Sequence, residues 1–120
     1  MKVTQGQVVA AYGVLNLMGK RQLNTGTAFR LFKLKKKLDD IVEFQAEQEN
    51  SLAESLGGMI DNGRLILPDD KRSEYTEKHR EITETECEID IDRVPISLNE
   101  IPISTIEEIE ALDPFISFTE

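Results

Sequence analysis

A chain of 120 residues, 39% hydrophobic and 31% charged, has the length of one soluble domain and enough apolar content for a modest core without metal or disulfides. The single cysteine, Cys87, excludes an intramolecular disulfide and a cysteine-rich zinc site, and fits a reducing compartment. The net charge of −9 hides an asymmetry, because residues 1–38 carry eight basic side chains and no acid while residues 39–120 carry six basic and 23 acidic ones. Such a split predicts charge-complementary contacts within the fold, between copies, or with another molecule.

In chain order, Thr4 followed by Gln7 is a capping-box pattern, and Val8, Ala11, Tyr12, Leu15 and Met18 then recur at helical spacing. A first helix is predicted over Gln5 to Met18, closed by Gly19. Its apolar run, "VVAAYGVLNLM", is too short to span a bilayer, is interrupted by Gly13 and Asn16, and is followed by no clear cleavage site, so no membrane partner and a cytoplasmic location are expected. After the loop "KRQLNTG", Asn24 or Thr25 can cap a second helix over about 25–56. Its inward stripe is Leu31, Leu34, Leu38, Ile41, Val42, Leu52 and Leu56, and Gly57-Gly58 stops it. Such a helix extends roughly 45 Å, too far for the first helix to cover, so part of its stripe needs strands or another chain.

"MIDNGRLIL" places Asn62-Gly63 between short apolar runs and predicts a tight β-hairpin. Pro68 and Asp69-Asp70 open a third helix with a thin apolar face of Tyr75, Ile82 and His79, expected to be largely exposed. "ECEIDID" alternates strictly, with Cys87, Ile89 and Ile91 on one face, the pattern of a strand with one wet side. "VPISLNEIPI" reads as an irregular edge, since Pro95 and Pro102 cannot donate to a ladder. Ser104 with Glu107 forms a second capping-box pattern, starting a short helix whose inward residues are Ile106, Ile109 and Leu112. Pro114 ends it, and the apolar "FISF" must pack somewhere. The fold class predicted is α+β in a single domain, 1–120. It combines an antiparallel helical hairpin (4–56) with a second part (59–118) of small antiparallel sheet, third helix and short C-terminal helix.

The chemistry of catalysis is not represented by any motif. A triad needs a base beside its nucleophile, and the only histidine, His79, reads as a solvated residue on a polar helix, while Cys87 reads as a half-buried strand cysteine. Gly57-Gly58 follows a helix instead of preceding one, so no phosphate loop is present. The carboxylates of "ETECEIDID" have the spacing of a strand's wet face and lack the loop glycine of a calcium site. No enzyme activity, cofactor or metal is expected.

The stretch "FRLFKLKKKLDDIVEFQAEQEN" carries a different signal. At about 100° per residue, Phe29, Phe32, Lys33 and Lys36 fall opposite the Leu31/Leu34/Leu38 stripe, and Asp40, Glu43 and Glu47 continue the same face with the opposite sign. Positive charge early and negative charge late opposes the helix macrodipole, so helix stability does not favour this order. One reading is an ordinary solvated face; another is a contact surface, since an antiparallel copy would lay basic half against acidic half with Phe29 and Phe32 as buried anchors. The alternation of lysine with phenylalanine also fits single-stranded nucleic acid, but the acidic remainder repels a polyanion, and the phenylalanines are expected in the core under the first helix. Mimicry of nucleic acid by the acidic surface is a further option.

The opening "MKVTQGQVVAAYGVLNLMGKRQLNTGTAFRLFKLKKKL", the acidic helix after it and "EIDIDRVPISLNEIPIS" near the end resemble a family of short uncharacterised phage and prophage proteins of Gram-positive bacteria. The family supplies no activity or site residues. It implies a phage setting in a bacterial host cytoplasm, and with it a protein-binding module that engages a host or anti-phage defence protein. The alternative is a virion-assembly component self-associating through the long helix. A protein partner and a homo-oligomer are expected, and nucleic acid is disfavoured.

Overall fold

The structure, a computed structural model, describes residues 1–103 and 105–119. In chain order the elements are β1 (Lys2–Thr4), α1 (Gln5–Met18), α2 (Thr25–Ser55), β2 (Met59–Asp61), β3 (Arg64–Ile66), a 3-10 turn (Asp69–Lys71), α3 (Arg72–Glu84), β4 (Glu86–Glu88), β5 (Val94–Ser97), α4 (Ile106–Leu112) and β6 (Ile116–Thr119). The fold is α+β, as predicted, with three two-stranded ladders among the described residues.

Thr4 ends β1 and caps α1. Its hydroxyl accepts from the Gln7 backbone N–H at 3.1 Å, and Gln7 Oε1 accepts from the Thr4 N–H at 2.9 Å, closing the capping box. Gly19 follows α1, but its φ of −64° is right-handed, so this helix end does not require a glycine. The short β1, absent from the sequence reading, pairs antiparallel with β4 and sets Val3 against Cys87. On α1, Val8, Ala11, Leu15 and Met18 are buried, and they meet Leu31, Leu34 and Leu38 of α2 in the main core.

The 31-residue α2 is longer than the rest of the molecule is wide, which gives extents of 50 × 27 × 22 Å. The radius of gyration, 16.2 Å, accordingly exceeds the roughly 14 Å of a compact chain of this length. Asn24 caps it through a 2.8 Å bond from the Thr27 N–H to its side-chain oxygen. The far end of its apolar stripe lies beyond α1 and is covered by the chain itself. Ala53 and Leu56 form a second, smaller core with Leu67 and Tyr75, flanked by Leu52, Ile60 and Leu65.

What ends α2 is a left-handed stop. Gly57 has φ +78°, and the N–H groups of Gly57 and Gly58 donate to Glu54 O and Ala53 O, the paired bonds of a Schellman motif. The next glycine has a different constraint, since a Cβ on Gly58 would lie 2.2 Å from the Ile66 carbonyl oxygen. At the hairpin tip, Asn62 (φ 51°) and Gly63 (φ 77°) both take the left-handed conformation that a two-residue type I′ turn demands.

The exposure expected of α3 holds for most of its length, and Tyr75 of its thin apolar face is buried as predicted, but His79 is half-buried instead of solvated. The His79 ring stacks on Tyr75 with centroids 5.5 Å apart, and its Nε2 lies 2.6 Å from Glu49 Oε2. The carboxylate from α2 and the tyrosine one turn back on α3 hold the imidazole against the helix pair, a contact invisible in the local sequence.

The C-terminal region departs most from expectation. β5 pairs with β6, and the pairing is parallel, Val94 opposite Ile116 and Ile96 opposite Phe118. A parallel pair needs a crossover, and α4 lies within it. The N–H groups of Val94 and Leu98 donate to Phe115 O and Thr119 O, so Pro95 stands at an alternate position whose N–H would point away from β6. Ser104, proposed as the cap of α4, lies outside the described residues; the hydroxyl of Thr105 accepts from the Glu108 N–H at 3.2 Å. Leu112 is buried as predicted, but Ile106 is 71% exposed and Ile109 also lies at the surface. Their place is taken by Glu108, which Arg21 draws inward through bonds of 2.9 and 2.8 Å. The "FISF" tail supplies Phe115 and Ile116, both fully buried.

Candidate protein-binding face of α2

Because Leu31, Leu34 and Leu38 face α1, helical periodicity turns Phe29, Phe32, Lys33 and Lys36 outward. Phe29 is 58% and Phe32 53% exposed, so the expectation that these rings lie under the first helix is corrected. The helix α1 packs on the leucine stripe, on the opposite side of α2. The two rings stack with centroids 6.4 Å apart, and Lys33 Nζ and Lys36 Nζ sit 5.6 and 5.8 Å from the Phe29 and Phe32 ring centres. Each lysine ammonium thus stands over a ring face on a side chain that remains exposed. Asp40, Glu43 and Glu47 continue this face and are exposed.

One residue missing from the sequence reading belongs here. Phe44 is 51% exposed at the border of the acidic half, and the same helical wheel that collected the other residues places it there. The face therefore presents aromatic surface in both its basic and its acidic half. Beside Phe32 a groove of about 310 Å³ runs between α1 and α2, bordered by Leu15, Leu23 and Lys35. The Lys35 Nζ lies 5.2 Å from the centre of the Tyr12 ring of α1.

The basic residues of the N-terminal third divide by type. Arg21 pairs with Glu108, and Arg30 Nη2 with Glu100 Oε2 at 2.6 Å, so both arginines tie α2 and the loop before it to the C-terminal region. The guanidinium forks also reach the carbonyls of Pro102 and Pro95. Lys2 reaches Glu86 at 3.5 Å across the β1–β4 ladder. The charge asymmetry is in part an internal clamp. By contrast, among the described residues Lys33, Lys36, Asp40, Glu43 and Glu47 make no ion pair within the chain.

Away from this face, Cys87 is half-buried on β4, where burial and then the neighbouring Glu88 push its thiol pKa up, so the thiolate is disfavoured. Among the described residues no three His, Cys, Asp or Glu side chains gather where they could hold a metal ion together. Among the same residues, no helix is long and apolar enough to cross a membrane. What α2 presents outward is an exposed face of stacked aromatics flanked by charges that make no ion pair among the described residues. In comparisons with known proteins no family model matches the chain, and no curated protein or solved structure matches it.

Proposed function

We propose that the protein is a binding module that acts without chemistry of its own, docking onto a protein through the outward face of α2 in a bacterial cytoplasm. The observation that carries this reading is the stacked, exposed pair Phe29 and Phe32 with a lysine ammonium over each ring. Adjacent large aromatics left in water are costly to solvate and are the residue type that anchors interfaces once covered. A polyanion is a poorer match, because Asp40, Glu43 and Glu47 stand on the same face and repel phosphates.

The resemblance to phage-encoded chains favours a host or anti-phage defence protein as the partner. A second reading, a component that self-associates as in virion assembly, is favoured by Phe44, which extends the aromatic surface into the acidic half of the same helix. Capture with tagged full-length protein, comparing wild type with a Phe29→Ser/Phe32→Ser variant, tests the module. A partner retained by wild type, lost by the variant and kept by a control changed at exposed Glu77 and Glu81 of α3 supports the face; equal capture by all three removes it.

A further inference from the structure

The outer face of α2 has an internal symmetry that names its occupant. Resting on the reading of this face as a protein-docking surface, we propose that it is covered by a second copy of the chain. The copies lie antiparallel about a two-fold axis level with Leu38. In an antiparallel pair related by such an axis, a residue a given number of positions before the axis lies level with the residue the same number after it. Lys36 is then level with the partner copy's residue 40, an aspartate, and Lys33 with its residue 43, a glutamate. The same axis sets Phe32 level with the copy's residue 44, a phenylalanine, and all six of these side chains are exposed.

One choice of axis satisfies these three matches and leaves Phe29 level with the copy's residue 47, a glutamate, at the outer margin of the contact. A parallel arrangement sets lysine against lysine and is repelled. An acidic partner complements only the basic half of the face and a basic partner only the acidic half, whereas a second copy complements both at once. Phe32 and Phe44 lie roughly 18 Å apart along the helix, so the two-fold generates two aromatic contacts that bracket the central charges. The order of charge that opposes the macrodipole of α2 then has a physical use. In the pair, the lysines of one copy stand beside the acids of the other, and the helix dipoles run in opposite directions.

The test uses the full chain and two charge reversals. Lys33→Glu/Lys36→Glu makes the face wholly acidic at these positions, and Asp40→Lys/Glu43→Lys makes it wholly basic. By light scattering and sedimentation, wild type is expected at twice 13.6 kDa in the micromolar range. Each reversal alone is expected to raise the dimer Kd by at least about tenfold. The two variants mixed, or the fourfold variant carrying both reversals, are expected to recover pairing. Spin labels at Glu54 are expected about 50 Å apart in the dimer, against a short separation for a parallel pair. A wild type that stays monomeric throughout, a mixture that does not recover, or a short Glu54 distance overturns the proposal. A monomeric wild type whose Phe29→Ser/Phe32→Ser variant still loses a captured protein overturns only the second copy, while equal capture by both removes the docking face as well.

Discussion

Arg21 and Glu108, 87 residues apart, form a two-pronged pair in which Nη1 and Nη2 of the guanidinium donate to the two carboxylate oxygens at 2.9 and 2.8 Å. Arg21 Nη1 also donates to the Pro102 carbonyl at 2.6 Å, so one side chain fixes both the orientation of α4 and the loop before it. Without Arg21, the nearly buried Glu108 loses its fork. Arg21→Met is expected to lower Tm by roughly 5–10 °C, and Arg21→Met/Glu108→Leu to recover most of the loss, because the pair is then removed together. A thermal-melt double-mutant cycle reads the coupling; additive losses would mean that the two residues act separately.

Phe29 and Phe32 contribute little to the fold in their exposed positions. Substituting serine at either is expected to change folding stability by under about 0.5 kcal/mol, measured by urea unfolding, while protein binding through α2 is lost. A large stability loss in these variants would mark the rings as structural.

Two glycines are expected to respond in opposite directions to alanine. At Gly58 the added Cβ meets the Ile66 carbonyl oxygen at 2.2 Å, and relief requires moving the β2–β3 hairpin off the end of α2, so Gly58→Ala should cost about 2–3 kcal/mol. At Gly13, on the exposed side of α1, an added Cβ has nothing within 4 Å, and Gly13→Ala should stabilise by about 0.5–1 kcal/mol through a less flexible unfolded chain. Denaturant midpoints of the two variants should shift in opposite directions.

The pH dependence is predicted to lie on the alkaline side. Tyr12 is raised by its hydrogen bond to Asp39, by burial and by the charge of Asp39. Tyr75 is raised by burial and Glu49, and Cys87 by burial and Glu88. All three are neutral when protonated, so the native state holds their protons more tightly than the unfolded chain does. Their contribution is complete below the ordinary thiol value of about 8.5 and is lost as pH rises through the raised thiol and tyrosine values. Urea midpoints measured from pH 7 to 11 should fall, and Tyr12→Phe should flatten the upper part of the decline.

His79→Ala is expected to leave partner binding intact while loosening α3, because the imidazole is held by Tyr75 and Glu49. Faster amide exchange along α3 with unchanged capture by α2 is the expected result. Loss of capture in the folded variant would place the working surface elsewhere.

Elements whose chemistry lies within a few residues follow from local sequence alone. Thr4 and Gln7 cap α1, Gly57 stops α2 with a left-handed turn, and Asn62-Gly63 folds the hairpin, each through bonds closed inside one turn of chain. The outward face of α2 was legible in the same way, since a 3.6-residue period assigns Phe29, Lys33 and Glu47 to one side once the leucines define the other. Which side α1 covers, and hence that Phe29 and Phe32 stand in water, is set by long-range packing. Such packing also sets the pairing of β1 with β4, the parallel β5–β6 ladder and the turn of α4 that buries Glu108 and exposes Ile106. These depend on partners from Lys2 to Thr119 that meet only after loops close. A short strand or helix carries too few residues for its own pattern to outweigh the contacts it makes with distant chain.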